Sequence, residues 1–429
     1  MHTNSNSKKG ITSIMGESCL PVLLVVGLSS ALASVTSQAD VPHIFADGTP
    51  AIAGEVNANF ESLDLRLGTI ESLTLEDRLS ALESLDPPQL TVDCDSDADA
   101  LQAAIDTATP LGLSIQVSGS CNAIEIFNKR NLFIDGGDKS STTITATDRA
   151  ALDIGLSQGV FIDNLTAVGS DDDPAIIVGA STALISDVTA INGPNGDGTV
   201  SVWSNGFAVF GGDTVIGSAD GSDPVALQIS ERGSVIFEQG TVSIKGTTAI
   251  AMEQQSLLDQ DPGSAANTLS IEGDLSIENL SSFEISNGSV LGNIFIRTGS
   301  QFLASTEADY SISIDGEVDS AGGGATFTMD TRRGGAAELT GIFRTNFAGG
   351  AAFYGPGTVV APELILVGLS SRVFILGGVV VGNGEVYPAF TVRHLSVVLS
   401  LTALDLEQIT CVGTVVVQQV TPDVLDICS

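Results

Sequence analysis

Residues Ala151–Gly169 read ALDIGLSQGVFIDNLTAVG, and Ala175–Gly193 repeat nearly the same text as AIIVGASTALISDVTAING. Val160, Phe161 and Ile162 fall 23 residues before Ala183, Leu184 and Ile185, and Val168 falls 23 before Ile191. Two further units continue the pattern, with Thr214–Ile216 and then Val242–Ile244 lying 26 to 28 residues beyond their counterparts. Within each copy, apolar residues alternate over four or five positions and are closed by Gly, Asn, Asp or Ser, which is the pattern of strand, turn, strand. A repeat of this length without helical periodicity means a solenoid whose coils bury their inward side chains only against the next coil.

The same pattern continues less regularly through Leu269–Ser300, Tyr310–Val318 and Val359–Gly382, and nothing after Leu90 reads as a long amphipathic helix. The expected fold class is therefore all-β, a right-handed, single-stranded parallel β-helix over residues 89–429.

Charge narrows the partners. With 52 acidic and 16 basic residues in 429, the chain carries a formal net charge of −36. Nucleic acid is excluded as a partner because phosphate binding needs a basic face, and anionic membrane surfaces are disfavoured for the same reason. The charge reads first as a solvated acidic exterior. A set of divalent-cation sites is the sharper alternative.

Residues 1–39 have the layout of a secretory signal. Lys8 and Lys9 precede an apolar run from Leu20 to Leu28, and small residues follow at Ala31–Ala33 and Ser37–Ala39. The run is too short to span a bilayer, and no second stretch approaches 18 apolar residues. The expectation is a secreted, extracellular or cell-surface protein without a transmembrane segment. In an oxidising compartment the four cysteines that remain read as disulfides. Three connectivities exist, and the local one, Cys94 with Cys121 and Cys411 with Cys428, would staple the two ends of the solenoid.

Between signal and solenoid lie two short segments. Residues 40–59 belong to the stretch VPHIFADGTPAIAGEVNANFESL, Val41–Leu63, which resembles a short N-terminal module of exported bacterial proteins. The resemblance implies export and names no chemistry. Over residues 60–88, Phe60, Leu63, Leu67 and Ile70 and then Leu75, Leu79 and Leu82 step by three and four. These are heptad seams. They predict a coiled-coil-like helix over 60–85, either a homotrimeric stalk or a helix folded back on the solenoid, stopped at Asp86-Pro87-Pro88.

The segment Thr91–Gly137 resembles the opening of the pectate-lyase-like β-helix family: a short helix at Ala98–Thr107, a strand ending in Gly119-Ser120-Cys121, then the turn Asn131-Leu132-Phe133-Ile134-Asp135-Gly136. Asp99, Asp97 or Ser96 would cap the helix, and Leu101, Ala104, Ile105 and Ala108 would cover the open end of the stack. The resemblance implies the fold and leaves the activity open, since this architecture serves lyases, glycosidases and inert surface proteins alike.

The chemical motifs of the enzymes do not carry over. There is no G-H-G or R-I-K, and the only histidines beyond the signal are His43 and His394. Arg297 and Arg332-Arg333 are the best candidates for a lyase base. Asp171, Asp172 and Asp173 are weak candidates for calcium, read first as an exposed turn, and Asn195-Gly196-Asp197-Gly198 is a single calcium-repeat fragment where the motif works only in tandem. Trp203, Phe207 and Phe210 cluster within one coil as residues for sugar stacking, or as core. The sequence therefore favours a structural or binding protein engaging a polysaccharide or a cell-surface partner, with no cofactor unless calcium. The alternative is a polysaccharide lyase or glycoside hydrolase on an acidic polysaccharide.

Overall fold

The computed structural model describes residues 87–109, 112–192, 198–261, 267–355, 358–376, 379–380, 389–393, 397–400, 409–419 and 425–428. The segments expected to form a signal, an N-terminal module and a helix over 60–85 lie outside the described residues.

The chain is a parallel β-solenoid, nearly all strand. Each coil visits three ladders in turn. In the repeat that opened the reading, Gln158–Asp163 lies on the first ladder, Thr166–Val168 on the second and Ile176–Gly179 on the third. The register agrees with the sequence spacing. Val160, Phe161 and Ile162 pair with Ala183, Leu184 and Ile185, Val168 pairs with Ile191, and Ile216 stands between Ala190 and Ile244.

Side chains alternate in and out along each strand, so the inward positions stack into continuous columns. The longest column takes one residue per coil: Leu113, Leu132, Val160, Ala183, Ala208, Val235, Leu258, Phe283, Phe302, Phe327, Ala351, Val373, Val398 and Val417. All of them are buried. Within it Phe283, Phe302 and Phe327 form a ring stack, with centroids 5.0 and 5.4 Å apart and interplanar angles of 6° and 11°. The third ladder carries a parallel column through Ile124, Leu152, Ile176, Val200, Leu227, Ile250, Leu275, Ile294, Val318 and Phe343.

The corners are specified as closely as the columns. From the second ladder to the third, Gly246, Gly273, Gly292, Gly316 and Gly341 stack one above another, and a Cβ on any of the last four would overlap the carbonyl oxygen of the glycine one coil below. From the third ladder back to the first, the chain passes through left-handed residues. Asn128, Leu156 and Ala180 occupy this conformation singly. Ser204-Asn205, Glu231-Arg232, Gln254-Gln255, Asn279-Leu280, Phe347-Ala348 and Leu369-Ser370 do so as pairs. After all of these turns but that at Asn128, which is followed by Lys129, a small residue tucks inward, and Ser157, Ser181, Ser256, Ser281, Ser300 and Ser371 are all buried there. Their hydroxyls keep that burial satisfied: the Ser256 amide donates to the Ser281 hydroxyl at 3.3 Å, and the Ser281 amide to the Ser300 hydroxyl at 3.2 Å.

Both ends are closed. Strand Gln89–Asp93 pairs with Leu113–Asn122, and the intervening helix α1, Ala100–Asp106, turns Leu101, Ala104 and Ile105 into the core. The helix is shorter than the span Ala98–Thr107 read from sequence, and its capping differs. Asp99 occupies the N-cap position but makes no side-chain cap bond; its carboxylate instead accepts the Asn122 amide at 2.7 Å, tying the helix to the strand it covers. Cys94 is bonded to Cys121 and Cys411 to Cys428, the local pairing. The last strand, Leu425–Cys428, runs antiparallel to Val416–Gln419 and so ends the parallel stack.

Candidate functional site

The aromatic trio predicted for sugar stacking divides. Phe210 is fully buried and belongs to the core, 6.1 Å from Phe237. It sits on an inward position of the first ladder, paired with Ile185 and Phe237, so a sugar cannot reach it. Phe207 is half-buried at the start of the same strand. Trp203 ends a third-ladder strand with 41% of its surface exposed.

Two glycines explain how Trp203 is held. Phe127, Gly155, Gly179 and Trp203 are successive members of one row across four coils. A Cβ at Gly179 would lie 3.2 Å from the indole, and one at Gly155 would lie 2.9 Å from the Phe127 ring. Each ring therefore rests on a glycine backbone, and Phe127 is 60% exposed. The next ring along the row from Trp203 is Phe127, three coils away across Gly179 and Gly155, which sequence proximity alone could not show. The signal for it was the Phe, Gly, Gly, Trp succession at coil spacing.

Beyond Trp203 the left-handed turns form the floor of a groove of about 600 Å³, lined by Ser204, Asn205, Glu231, Arg232, Gln254 and Gln255 and continuing to Thr298. The Ser204 hydroxyl donates to Glu231 at 2.9 Å, and the Arg232 Nε donates to the Gln255 side-chain oxygen at 3.3 Å. Farther along the same edge a second groove is lined by Arg344, Asn346, Leu369, Arg393 and Val412.

The predicted ionic candidates are dispersed and occupied. Asp171 and Asp172 are exposed, and Asp173 turns back to accept the Ser170 hydroxyl at 3.0 Å. That is a local turn. Of the calcium-repeat fragment only Gly198 lies within the described residues. Among the described residues no group of three or more His, Cys, Asp or Glu is arranged to hold a metal ion. Arg297 pairs with Asp319 at 2.9 Å, also donates to the Asp319 carbonyl and lies 5.6 Å from the Phe295 ring. Arg332 grips Asp330 through both Nε and Nη2, and Arg333 reaches Glu307 at 3.4 Å.

Carboxylates do stack on neighbouring coils at three places. Asp135 pairs in register with Asp163, with Asp187 on the next coil. Burial, and then the charges of Asp187 and Asp135, push the Asp163 carboxyl above its ordinary range. Asp135 and Asp187 are bound by backbone, accepting the Gly137 and Asp213 amides. Burial and the Glu125 charge likewise raise Asp153, opposed by Arg149. Burial raises Asp259 and Glu284, reinforced at Glu284 by the Asp259 charge. None of these groups lines the two grooves of the aromatic edge.

Among the described residues no helix is long and apolar enough to cross a membrane. In comparison with known proteins, the chain matches no family model, no curated protein and no solved structure. The fold defines a disulfide-closed parallel β-solenoid.

Proposed function

We propose that this is an exported bacterial β-helix protein of the cell surface or extracellular space, with a structural and binding role and no catalytic one. The observation that carries the reading is the occupancy of the arginines expected to serve as a lyase base. Arg297, Arg332 and Arg333 each hold an acidic side chain, as do Arg149, Lys245 and Arg344. An arginine already neutralised by a neighbouring carboxylate is a poor base and a poor partner for a uronate. The raised carboxyls stand in stacks of like charge outside the grooves of the aromatic edge, without an arrangement that would place a sugar between an acid and a base. The signal-like N-terminus and the paired cysteines support export. The heptad seams over 60–85 support a homotrimer, and the pectate-lyase-like first coil supports a right-handed helix.

The test is turnover. The mature protein, incubated with pectate, alginate, xylan and neutral glucans, is expected to release neither reducing ends nor unsaturated uronate ends above a heat-inactivated control. Sustained release that copurifies with the chain, and falls when Asp163 is changed to Asn, would establish the lyase or hydrolase reading instead.

A further inference from the structure

The edge between the third and first ladders differs in composition from the rest of this acidic molecule. Phe127, Leu156, Trp203, Leu280, Phe347 and Leu369 all lie on it, and all are exposed. The groove is lined by amides, hydroxyls and Leu280, with one acid, Glu231, and one base, Arg232. Its lining thus carries no net charge on a chain whose formal net charge is −36. The groove spans five successive coils, from Ser204 through Glu231, Gln254 and Asn279 to Thr298, roughly 19 Å at about 4.8 Å per coil.

From this juxtaposition we infer that the edge is a binding strip for an uncharged, extended oligosaccharide lying along the solenoid axis. The inference rests on the binding role proposed above and gives it a site and a ligand class. Three features select that chemistry. The Trp203 indole has one side on the Gly179 backbone and is 41% exposed, a flat apolar platform suited to the C–H face of a pyranose ring. Exposed Asn205, Gln254, Gln255 and Asn279 then present donors and acceptors on three of the five coils, the mixed set that sugar hydroxyls require. The repeat of the turn matches a repeating polymer, because each coil offers the same backbone at a fixed rise. An anionic polysaccharide is disfavoured by the surrounding charge, and a flat protein partner by the width of a groove built from single turns.

Trp203 is the only tryptophan of the chain, so intrinsic fluorescence reports this site alone. The experiment titrates the full mature protein with cellohexaose, laminarihexaose, mannohexaose, chitohexaose and, as the charged comparison, hexagalacturonate. At least one neutral hexasaccharide is expected to shift the emission saturably. Gln255→Ala and Gln254→Ala are each expected to weaken that binding about five- to tenfold, the loss of roughly one hydrogen bond, without changing the thermal midpoint. By calorimetry, Trp203→Ala is expected to abolish the binding and Trp203→Phe to retain part of it. Absence of any saturable response to the neutral sugars overturns the inference, as does binding to hexagalacturonate only or binding indifferent to both glutamine variants. These outcomes leave the non-catalytic reading intact, since that reading falls only to turnover.

Discussion

The glycine column at the second corner shows how little room the stack leaves. Gly273 adopts φ of +126°, and a Cβ there would overlap the Gly246 carbonyl oxygen, so both conformation and space demand glycine. Gly273→Ala is expected to lower stability by about 1–3 kcal/mol or more. Gly323, with no atom within 4 Å of an added Cβ, should accept alanine within about 0.5 kcal/mol. Thermal midpoints of the two variants check the pair; equal losses would contradict it. In the ring stack, Phe302 lies between Phe283 and Phe327, and Phe302→Ala should cost about 3–5 kcal/mol. The raised carboxyls make a separate prediction about pH. Asp163, Asp259 and Glu284 bind protons more readily folded than unfolded, so their ionisation opposes folding at neutral pH. Stability is therefore gained as pH falls through their raised values toward the ordinary carboxylate range. Asp330, held low by Arg332, and Asp220, pulled down to about 2 by Ser222 and Ser218, act in the opposite sense, and their contribution is lost only in stronger acid. The thermal midpoint is expected to rise as pH is lowered from neutral toward the ordinary carboxylate range, and Glu284→Gln to raise it at neutral pH while flattening the slope. A midpoint falling over that range would show that the low-pKa groups dominate.

At the scale of elements, the informative pieces are the ends and the left-handed corner. A terminal coil has a neighbour on one side only and frays first. The Cys94–Cys121 bond closes a sequence separation of 27 across the first coil, where the helix also covers the open stack. Replacing both cysteines with serine is expected to cost roughly 3–4 kcal/mol. Hydrogen exchange should quicken in Gln89–Asn122 and stay unchanged in the middle coils around Ser234–Met252; uniform loss of protection would instead show that the whole solenoid unfolds as one unit. The corner pairs place non-glycine residues in a conformation that costs about 1–2 kcal/mol each. The buried serines beside them offset part of that by bonding across coils. This tight turn also sets the spacing of the side chains along the groove.

For the whole molecule, the charge and the repetition act against each other. The columns join every coil to the next through apolar contact, while a net charge of −36 repels any second copy that approaches side-on. Association through the segment 60–85, proposed above as the trimer-forming stretch, would avoid that repulsion. The mature chain is therefore expected to be trimeric by light scattering, and a chain beginning at Leu90 monomeric. An unchanged mass on truncation would place the interface on the solenoid itself. Because the repulsion is screened by salt, any side-by-side association should instead grow with ionic strength.

Amino-acid order alone determined the ladders. An inward row of a solenoid is a periodic string of apolar residues, so Val160 and Ala183 could be aligned by counting, and the short loops between these neighbouring coils kept that count true. It also favoured the local disulfide pairing among three connectivities, since Cys94 and Cys121 lie about one coil apart, and the structure made that choice. Three things waited for the tertiary structure. Whether an aromatic faces in or out changes with a shift of a single residue, and this sent Phe210 to the core and Trp203 to the surface. The use of Asp99 depended on where Asn122 arrived from another strand. The groove joins residues from five coils whose spacing varies with insertions at the first and second corners, and only the stacked backbone brings Asn205, Arg232 and Gln255 to one edge. Sequence repeats specify what stacks, because burial is periodic; they leave open what meets on the surface, because there the intervening loops decide which side chains become neighbours.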